Sequence, residues 1–454
     1  MINKTKIVAT LGPASNTRAV IKKMIEAGMN VARLNFSHGN YETHAESIKL
    51  IRSLSRTMNR HVGILLDLQG PKIRTGKLKD GEAVYLETGK TIRITTQIIS
   101  GTAEKISATY KDLTSDVKKG DAILLDDGLI ELAVMHKRKD VITCRIVNGG
   151  WLKENKGINL PGVSVSAPSL TPKDIRDLNF GIKMGVDYFA LSFVRSADDV
   201  KQIKKHISKQ GQDTPVIAKI EKPEAVENLN AILNAADGIM VARGDLGVEM
   251  KPEKVPTIQK TIIKAAILTG KPVITATQML ETMVANPIPT RAEASDVANA
   301  IYDGTDAVML SAETATGKYP VETVGMMARI AARTEQSVFM KYNLEHKCIP
   351  DDPVAHAVTK SAVKILHELD AEGILAFSVS GSTAKLISKN RPALPVFAFS
   401  PSMSTCNQLT LVWGITPLYL PNIKVAKHLI EASVRILIHK KFIKANDLIE
   451  IVIG

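Results

Sequence analysis

The sequence predicts an α/β protein whose main domain is a (β/α)8 barrel, or TIM barrel, with a small β-barrel domain inserted into it and a further α/β domain at the C-terminal end. Three observations lead to this fold class. Short β-branched or aliphatic runs alternate with longer amphipathic segments, which is typical of parallel βαβ units. Eight such runs can be counted, and eight strands close a β/α barrel. After the third run, about a hundred residues of a different texture interrupt the alternation.

The eight candidate strands follow one another along residues 6–310, and their predicted bounds are Lys6 to Leu11, Val31 to Asn35, Val62 to Leu68, Tyr188 to Ser192, Pro215 to Lys219, Gly238 to Ala242, Pro272 to Thr275 and Ala307 to Leu310. Amphipathic segments that open near a cap-type residue or a proline lie between them, among them Thr17 to Ala27, Ser196 to Ser208, Pro223 to Ala235 and Arg291 to Tyr302. Thr171 followed by Pro172 predicts another helix start, because threonine caps the first turn and proline fits the first helical position.

The interruption contains short strand-like segments with glycine or aspartate turns, and it predicts a small all-β domain. Its segments are Ala83 to Leu86, Thr91 to Thr95, Ala122 to Leu125 and Val141 to Ile146, with turns at Asp80-Gly81 and Asp127-Gly128. Beyond about Phe339 the α/β texture returns, with a helical pattern over Pro353 to Leu369 and strand patterns at Ile374 to Ser378 and Leu448 to Ile453. We therefore expect a barrel domain of residues 1–71 and 168–338, an inserted domain of residues 72–167 and a C-terminal domain of residues 339–454.

The composition excludes several classes of protein. At 454 residues the chain exceeds the roughly 250–300 residues of a single core, and 44% hydrophobic with 23% charged residues is typical of a soluble globular protein. No apolar run approaches the roughly 20 residues of a membrane span, and the N-terminus has no secretory signal pattern. The cysteines Cys144, Cys348 and Cys406 are few and far apart, which favours a reducing compartment. We expect a cytoplasmic protein without a membrane partner.

The net charge of +13 raises the question of a nucleic-acid partner, since a positive field attracts any polyanion. The basic residues are dispersed, however, and their densest run is Lys137-Arg138-Lys139. We therefore expect no nucleic-acid partner, and attraction of small phosphorylated anions or plain solvation accounts for the charge.

Polar side chains follow the predicted strands at their C-terminal ends, where β/α barrels place their active sites. Those after the second and third strands are Arg33, Asn35, Ser37, His38, Asp67, Lys72 and Arg74. An aspartate followed by two fixed cations suits a metal ion and a polyphosphate, although an ordinary solvated loop explains each of the two clusters about as well.

The fifth and sixth strands give a sharper pattern. Lys219 and Glu221 share one face of a strand, and Asp245 follows the next strand. Two carboxylates beside a lysine fit Mg²⁺, which takes one or two protein carboxylates together with substrate oxygens and water. A ring of salt bridges at the barrel mouth is the alternative. Thr277 and Ser311 follow the seventh and eighth strands, and singly such hydroxyls are more often capping residues.

Six segments together resemble the motifs of the pyruvate kinase family, in the same order along the chain: Arg33 to Gly39, Lys156 to Gly162, Ala218 to Glu221, Met240 to Gly247, Ala276 to Glu281 and Leu310 to Thr314. The resemblance extends over essentially the whole chain. It implies an enzyme dependent on Mg²⁺, with Mn²⁺ as a substitute, that transfers a phosphoryl group from phosphoenolpyruvate to ADP and yields pyruvate and ATP, the last step of glycolysis. It also implies an inserted domain that closes over the nucleotide, and a homotetramer.

The same resemblance implies a role for each matching residue. The catalytic residues would be Lys219, Arg33, Thr277 and Ser311, and the substrate would be bound by Arg33, Lys219, Gly244, Asp245 and Thr277. The nucleotide would be bound by Arg74, Lys156, His38 and Asn35. Mg²⁺ would be bound by Glu221 and Asp245. Lys219 would stabilise charge on the phosphoryl group and on the nascent enolate. Protonation of the enolate would run through water held near Thr277 and Ser311.

Many members of the family need K⁺, and the residues that match its site are Asn35, Ser37, Asp67 and Leu68. Potassium-dependent members usually carry a threonine at the position of Leu68 and a glutamate at that of Lys72. The resemblance therefore implies that K⁺ is not required here, with the Lys72 ammonium in place of the ion and Asp67 as its partner. The alternative is a Lys72 that points to solvent.

In the C-terminal domain, Ser378, Ser380, Gly381, Ser382 and Thr383 resemble the loop with which many members bind a phosphorylated effector. Hydroxyls and amides at a glycine turn before a helix suit a phosphate, but a plain N-cap explains them too. The family usually continues beyond the segment at residues 451–454 through a glycine-rich loop and a last strand that help to form this pocket. The resemblance therefore leaves effector control open.

Two other functions remain open at this point. A Mg²⁺-dependent pyruvate aldolase of the phosphoenolpyruvate-barrel type shares the pair of carboxylates, but Arg74, Lys156 and the inserted domain favour a nucleotide substrate. A paralogue that only binds ligands is disfavoured, because every catalytic residue type is present.

Overall fold

The computed structural model describes residues 3–337, 353–369, 371–421 and 425–453. Eight parallel strands close into a barrel in sequential order, which confirms the predicted fold class. The strands are β1 (Lys6–Leu11), β2 (Val31–Asn35), β3 (Gly63–Asp67), β4 (Tyr188–Leu191), β5 (Val216–Ile220), β6 (Gly238–Ala242), β7 (Val273–Ala276) and β8 (Ala307–Leu310). All of them are buried along nearly their whole length, as expected for parallel strands covered by helices.

Four of these strands have the predicted bounds, and the other four differ by one residue at one or both ends. Pro215 and Pro272 were expected to begin β5 and β7, but each lies just before its strand. Proline has no N–H for the ladder, and each contributes only its carbonyl, to Phe189 and Ile239 respectively.

Helices and helical turns cover the barrel, and their bounds are Arg18–Ala27, Tyr41–Thr57, Pro172–Met184, Ala197–Ser208, Pro223–Glu227, Leu229–Ala235, Arg243–Glu249, Val255–Thr269, Arg291–Tyr302, Ala312–Ala315 and Pro320–Glu335, with 3-10 turns at Pro252–Lys254 and Glu281–Val284. Thr171 caps the helix that begins at Pro172, as the sequence predicted, and its hydroxyl and the Asp174 carboxylate form the reciprocal pair of a capping box. The single helix predicted for residues 223–235 is wrong, because the backbone leaves the helical conformation at Asn228.

The residues between β3 and the helix at Pro172 form a separate β-sheet unit with its own apolar core. Its strands are Val84–Leu86, Thr91–Thr95, Lys105–Ser107, Ala122–Leu125, Ile130–Arg138, Val141–Asn148, Gly150–Leu152 and Ile158–Asn159, with helical turns at Lys79–Gly81 and Leu113–Asp116. Strand pairing gives a six-stranded sheet and a separate two-stranded ribbon, rather than the single closed β-barrel expected from the sequence. Four of these strands were not predicted, and the longest is Ile130–Arg138.

The C-terminal region forms a four-stranded parallel sheet with helices around it. Its elements are the helices Pro353–Glu368, Ser382–Lys389, Met403–Leu409 and Ala426–His439 and the strands Ile374–Phe377, Val396–Ser400, Ile415–Tyr419 and Glu450–Ile453. The boundary expected between residues 338 and 339 lies outside the described residues.

This C-terminal region packs against the N-terminal ends of the barrel strands. The Thr410 hydroxyl accepts a hydrogen bond from the Gly63 amide at 3.1 Å, and the buried Lys6 ammonium donates to the Ile415 carbonyl at 2.7 Å. Trp413 joins the apolar core of the barrel. The opposite end of the barrel, where the C-terminal ends of the strands lie, is therefore left to the inserted unit and the site. In the described part of the chain, no helix is both long and apolar enough to cross a membrane.

Candidate active site

Lys219 lies near the end of β5, and its ammonium is at the centre of a buried polar cluster. Its Nζ atom donates to the Ser192 hydroxyl at 2.7 Å and lies 2.8 Å from Glu221 Oε1 and 3.3 Å from Asp67 Oδ1. Asp67 and Glu221 are each 1% exposed. The strand ends of β3 and β5 thus bring one cation between two carboxylates, as expected from the shared face of Lys219 and Glu221.

Arg33, near the end of β2, completes the cluster from the other side of Asp67. Its Nε and Nη2 atoms both lie 2.7 Å from Asp67 Oδ2, and its Nη1 atom donates to the Thr10 hydroxyl at 2.9 Å. Arg33 and Lys219 therefore share the buried Asp67 carboxylate, and this contact holds the two cations close together. An anionic group of a substrate can be bound there.

These contacts decide which groups are charged. Burial alone would raise the pKa of Asp67, but the charges of Lys219 and Arg33 hold it below its ordinary value. Burial also opposes the charge of Lys219, but Asp67 and Glu221 outweigh it and hold the pKa of the ammonium above its ordinary value. Burial raises the pKa of Glu221, and the like charge of Asp245 raises it further; the opposite charge of Lys219 lowers it but does not cancel these two effects. At neutral pH Lys219 is a fixed cation beside an ionised Asp67.

The pair Glu221 and Asp245 is the part of the site that fits a divalent metal ion. Asp245 is half-buried in the helix Arg243–Glu249, which follows β6 directly, and it lies near enough to raise the pKa of Glu221. A cation bound to both carboxylates would relieve that repulsion. The described residues contain no group of three His, Cys, Asp or Glu side chains placed to hold a metal, so these two carboxylates would need substrate and water oxygens to complete the shell, as Mg²⁺ commonly does.

Thr277 and Ser311 lie just beyond β7 and β8. The Thr277 hydroxyl accepts from the Gly244 amide at 2.8 Å and donates to the Ala276 carbonyl at 2.6 Å, so it lies beside the residue that precedes Asp245. The Ser311 hydroxyl is buried and has no hydrogen-bond partner within the described ranges. A buried hydroxyl without a partner can bind water or substrate without first breaking another bond.

The residues expected at the nucleotide lie at the junction of the barrel and the inserted unit. The Arg74 guanidinium donates to the Asn155 carbonyl at 2.9 Å, and the Lys156 ammonium lies 2.8 Å from Asp126 Oδ1. Burial lowers the pKa of His38, and the nearby charges of Lys72, Arg74 and Arg33 lower it further. His38 is thus a neutral imidazole at pH 7, in a group of cations that can attract a polyphosphate.

Three of the four residues that match a potassium site have oxygens that already contact protein groups. Asn35 Oδ1 accepts from the Ser37 amide at 3.1 Å, and the Leu68 carbonyl accepts from the Ser192 hydroxyl at 2.7 Å. The expected pairing of Lys72 with Asp67 is not found. Lys72 is exposed, whereas the oxygens of Asp67 face Arg33 and Lys219, which already supply the positive charge.

Sequence reasoning missed three residues of the site, and two of them carried a detectable signal. Thr10 lies near the end of β1, and Ser192 directly follows β4, so both are polar residues at the strand ends where the other six strands supplied the predicted site residues. Ser192 is the more important, since its hydroxyl joins Lys219 to the Leu68 carbonyl. The third is Phe193, whose amide donates to Glu221 Oε2 at 2.8 Å; a backbone donor leaves no signal in residue type.

The candidate effector loop lies far from this cluster, in the C-terminal region. Gly381 has φ +84° and precedes the helix Ser382–Lys389, and the Ser380 hydroxyl donates to that of Ser382 at 3.1 Å. Ser378, at the end of its strand, is 4% exposed and lies beneath the loop, while Thr383 is half-buried in the first turn. The turn and helix start are as predicted, but they are equally those of a plain cap.

Comparison with known proteins identifies the family. The chain matches the family described as pyruvate kinase, barrel domain, over residues 2–324 and that described as pyruvate kinase, alpha/beta domain, over residues 356–454. It is 47% identical over 457 residues to the pyruvate kinases of Staphylococcus saprophyticus and of Staphylococcus aureus strain MRSA252, with 100% of this chain and 78% of each relative covered. A crystal structure of a pyruvate kinase from Cryptosporidium parvum is similar with a TM-score of 0.94 at 37% identity, over 100% of this chain and 94% of that one. The resemblance found in the sequence is confirmed, and the chain belongs to the pyruvate kinase family.

Proposed function

We propose that this chain transfers the phosphoryl group of phosphoenolpyruvate to ADP and releases pyruvate and ATP, the last step of glycolysis. One observation carries the proposal: in a chain of the pyruvate kinase family, the Lys219 ammonium is buried between Asp67 and Glu221 beside the Arg33 guanidinium at the end of the barrel strands. Phosphoryl transfer asks a protein mainly for positioning and for stabilisation of charge, and fixed buried cations supply both.

Arg33 and Lys219 are proposed to contact the moving phosphoryl group from two sides. Both are held by Asp67, so they need little reorganisation when charge develops on the substrate. As the bond between the phosphorus atom and the enol oxygen breaks, that oxygen gains negative charge, and Lys219 stabilises it. The bond pair stays on the oxygen and the phosphorus atom accepts an oxygen of ADP.

Glu221 and Asp245 are proposed to hold Mg²⁺, or Mn²⁺ in its place, which when bound supplies positive charge to the phosphoryl and enolate oxygens. We propose that no K⁺ is required. The contacts of Asn35, Asp67 and Leu68 within the protein support this, because Lys219 and Arg33 already neutralise Asp67 and the Ser192 hydroxyl already binds the Leu68 carbonyl.

The carboxylate of phosphoenolpyruvate is proposed to bind at the Gly244 amide, beside Asp245, and at the Thr277 hydroxyl. The Gly244 amide donates to the Thr277 hydroxyl at 2.8 Å and that hydroxyl donates to the Ala276 carbonyl, so both donors would have to turn to the substrate carboxylate, which would accept a hydrogen bond from each. The enolate then takes a proton at its methylene carbon from water held near Thr277 and Ser311. The unpartnered Ser311 hydroxyl supports this placement of the water.

Arg74, Lys156, His38 and Asn35 are proposed to contact the nucleotide, with the inserted unit closing over it. The cationic surroundings of the neutral His38 support a site for the ADP phosphates. Lys156 now pairs with Asp126 and would exchange that partner for a phosphate oxygen.

We also propose an effector site, an oligomeric state and a cellular location for this chain. The loop of Ser378, Ser380, Gly381, Ser382 and Thr383 binds a phosphorylated effector; its glycine turn before a helix supports this. The active form is a homotetramer located in the cytoplasm, as the family resemblance and the scarcity of cysteine suggest.

Pyruvate release coupled to NADH oxidation by lactate dehydrogenase tests the function. With phosphoenolpyruvate and Mg²⁺, pyruvate should form only when ADP is present. Nothing in the comparisons supports the aldolase, which would release pyruvate from a hydroxy-oxo acid without any nucleotide. ADP-independent release would overturn the proposal.

A further inference from the structure

Arg243 is the first residue of the helix after β6, and its guanidinium contacts three consecutive backbone carbonyls of a neighbouring segment. Nη2 donates to the Thr277 carbonyl at 2.7 Å and to that of Gln278 at 3.3 Å, while Nε donates to the Ala276 carbonyl at 3.2 Å. Nη1 lies 2.7 Å from a carboxylate oxygen of Asp296, on the helix Arg291–Tyr302. Every nitrogen of the group therefore has a partner.

The segment that Arg243 holds has an unfavourable backbone. Thr277 has φ +67° and Gln278 has φ +52°, in the left-handed region that favours glycine. A β-branched residue such as threonine is rare there, because its side chain is crowded by the backbone. Two such residues in succession need external contacts to keep them in place.

We propose that Arg243 is a positioning residue, which holds Thr277 and Gln278 in the left-handed conformation and so directs the Thr277 hydroxyl at the Gly244 amide and the substrate. The inference rests on the proposed function, in which Thr277 binds the carboxylate of phosphoenolpyruvate. The planar guanidinium can reach several carbonyls and one carboxylate together, whereas a lysine ammonium at the same position cannot.

The side-chain exposures of this ion pair agree with such a role. The side chain of Asp296 is 37% exposed, so its ion pair with Arg243 adds little stability by itself. The Arg243 side chain is only 12% exposed and covers the turn. Asp296 fixes the orientation of the guanidinium, and the three carbonyls are the groups that it holds.

The first test replaces Arg243 by lysine. In Arg243→Lys, kcat/KM for phosphoenolpyruvate should fall at least about tenfold, since small misplacements at a reacting centre are costly. KM for phosphoenolpyruvate should rise while KM for ADP stays unchanged. Arg52→Lys is a matched control: Arg52 donates to the Val62 and Gly185 carbonyls and pairs with Asp187, but at the opposite end of the barrel. It should alter stability and leave both KM values unchanged.

The second test asks whether the effect acts through the backbone. Gln278 is exposed, and glycine adopts its φ without strain. Adding Gln278→Gly to Arg243→Lys should recover about fivefold in kcat/KM, whereas Gln278→Ala, which removes the same side chain without relieving φ, should recover nothing. Full activity of Arg243→Lys, or equal effects of glycine and alanine, would overturn the proposal.

Thermal unfolding gives a readout that does not depend on activity. With Arg243 present, the melting temperature of Gln278→Gly should be higher than that of Gln278→Ala. In the Arg243→Lys background the difference between these two melting temperatures should be smaller, because the turn no longer has to stay left-handed. An inactive wild-type enzyme would refute the proposed function alone. A glycine advantage that is the same with and without Arg243 would refute the positioning role alone.

Discussion

Replacement of Lys219 by methionine removes the ammonium that lies between the buried carboxylates of Asp67 and Glu221. Methionine has a similar length and leaves no cavity, but it cannot stabilise the charge that develops on the phosphoryl and enol oxygens. Loss of one fixed donor of this kind typically costs about 10²–10³ in kcat, or about 2.7–4 kcal/mol of barrier. We expect at least that loss in kcat for Lys219→Met, with a much smaller change in KM for phosphoenolpyruvate.

The same change should also destabilise the fold, in a pH-dependent way. Nζ lies 2.8 Å from Glu221 and 3.3 Å from Asp67, and breaking a buried ion pair costs about 3–5 kcal/mol. In the wild type, the depressed pKa of Asp67 contributes stability above its unfolded value of 3.8 that is lost as the pH falls. Without Lys219, Glu221 and Asp67 would both bind protons more tightly than in the wild type, although Arg33 would still favour the ionised form of Asp67. Thermal melts should therefore show the largest gap between wild type and variant near pH 7 and a smaller one near pH 4.

Lys222→Met is the matched control for this experiment. Lys222 is also buried, at 7% exposed, and its ammonium lies 2.6 Å from Glu249. Its replacement should lower the melting temperature by a comparable amount but reduce kcat far less. If Lys219→Met lost its activity entirely through KM, or if Lys222→Met lost as much kcat, the electrostatic role given to Lys219 would be wrong.

Three further outcomes follow from the same contacts. Glu221→Gln removes one of two carboxylates for the metal, so activity should fall at least about a hundredfold and higher Mg²⁺ should be needed; normal turnover at ordinary Mg²⁺ would exclude Glu221 as a ligand. Adding K⁺ to enzyme assayed with a bulky organic cation should stimulate it less than about threefold, and an enzyme almost inactive without K⁺ would contradict this. Lys6→Met removes the buried ammonium that donates to the Ile415 carbonyl. Because burial lowers the pKa of Lys6 from 10.5 to about 8, the free energy of unfolding of the wild type should rise relative to that of the variant as the pH increases from 8 to 10.5, and a difference that stays constant over this range would contradict this.

The barrel could be predicted because two periodicities, one for strands and one for helices, alternate eight times along the chain. The inserted unit was harder to predict. The strand Ile130–Arg138 was missed because its second half is exposed and ends in the charged residues Lys137 and Arg138, which are as common in a loop as in an exposed strand. Its register is fixed by pairing with the strand Val141–Asn148. Strand pairing across a sheet is a tertiary effect that a local pattern does not contain.

At the site, the residue types and their strand ends could be predicted, and their partners could not. Lys219 and Glu221 were placed together correctly, since two residues on one strand have fixed geometry. The family resemblance placed Lys72 at Asp67, but Arg33 on β2 and Lys219 on β5 already face that carboxylate. The direction of an exposed loop side chain is not fixed by sequence.

Phosphorus NMR of phosphoenolpyruvate, ADP and Mg²⁺ with catalytic amounts of the enzyme tests the central claim most directly. The phosphoenolpyruvate signal should disappear as the γ-phosphate signal of ATP grows, one for one, and the Lys219→Met enzyme should show neither change on the same timescale. Inorganic phosphate in place of ATP, or transfer at the wild-type rate by Lys219→Met, would contradict the account.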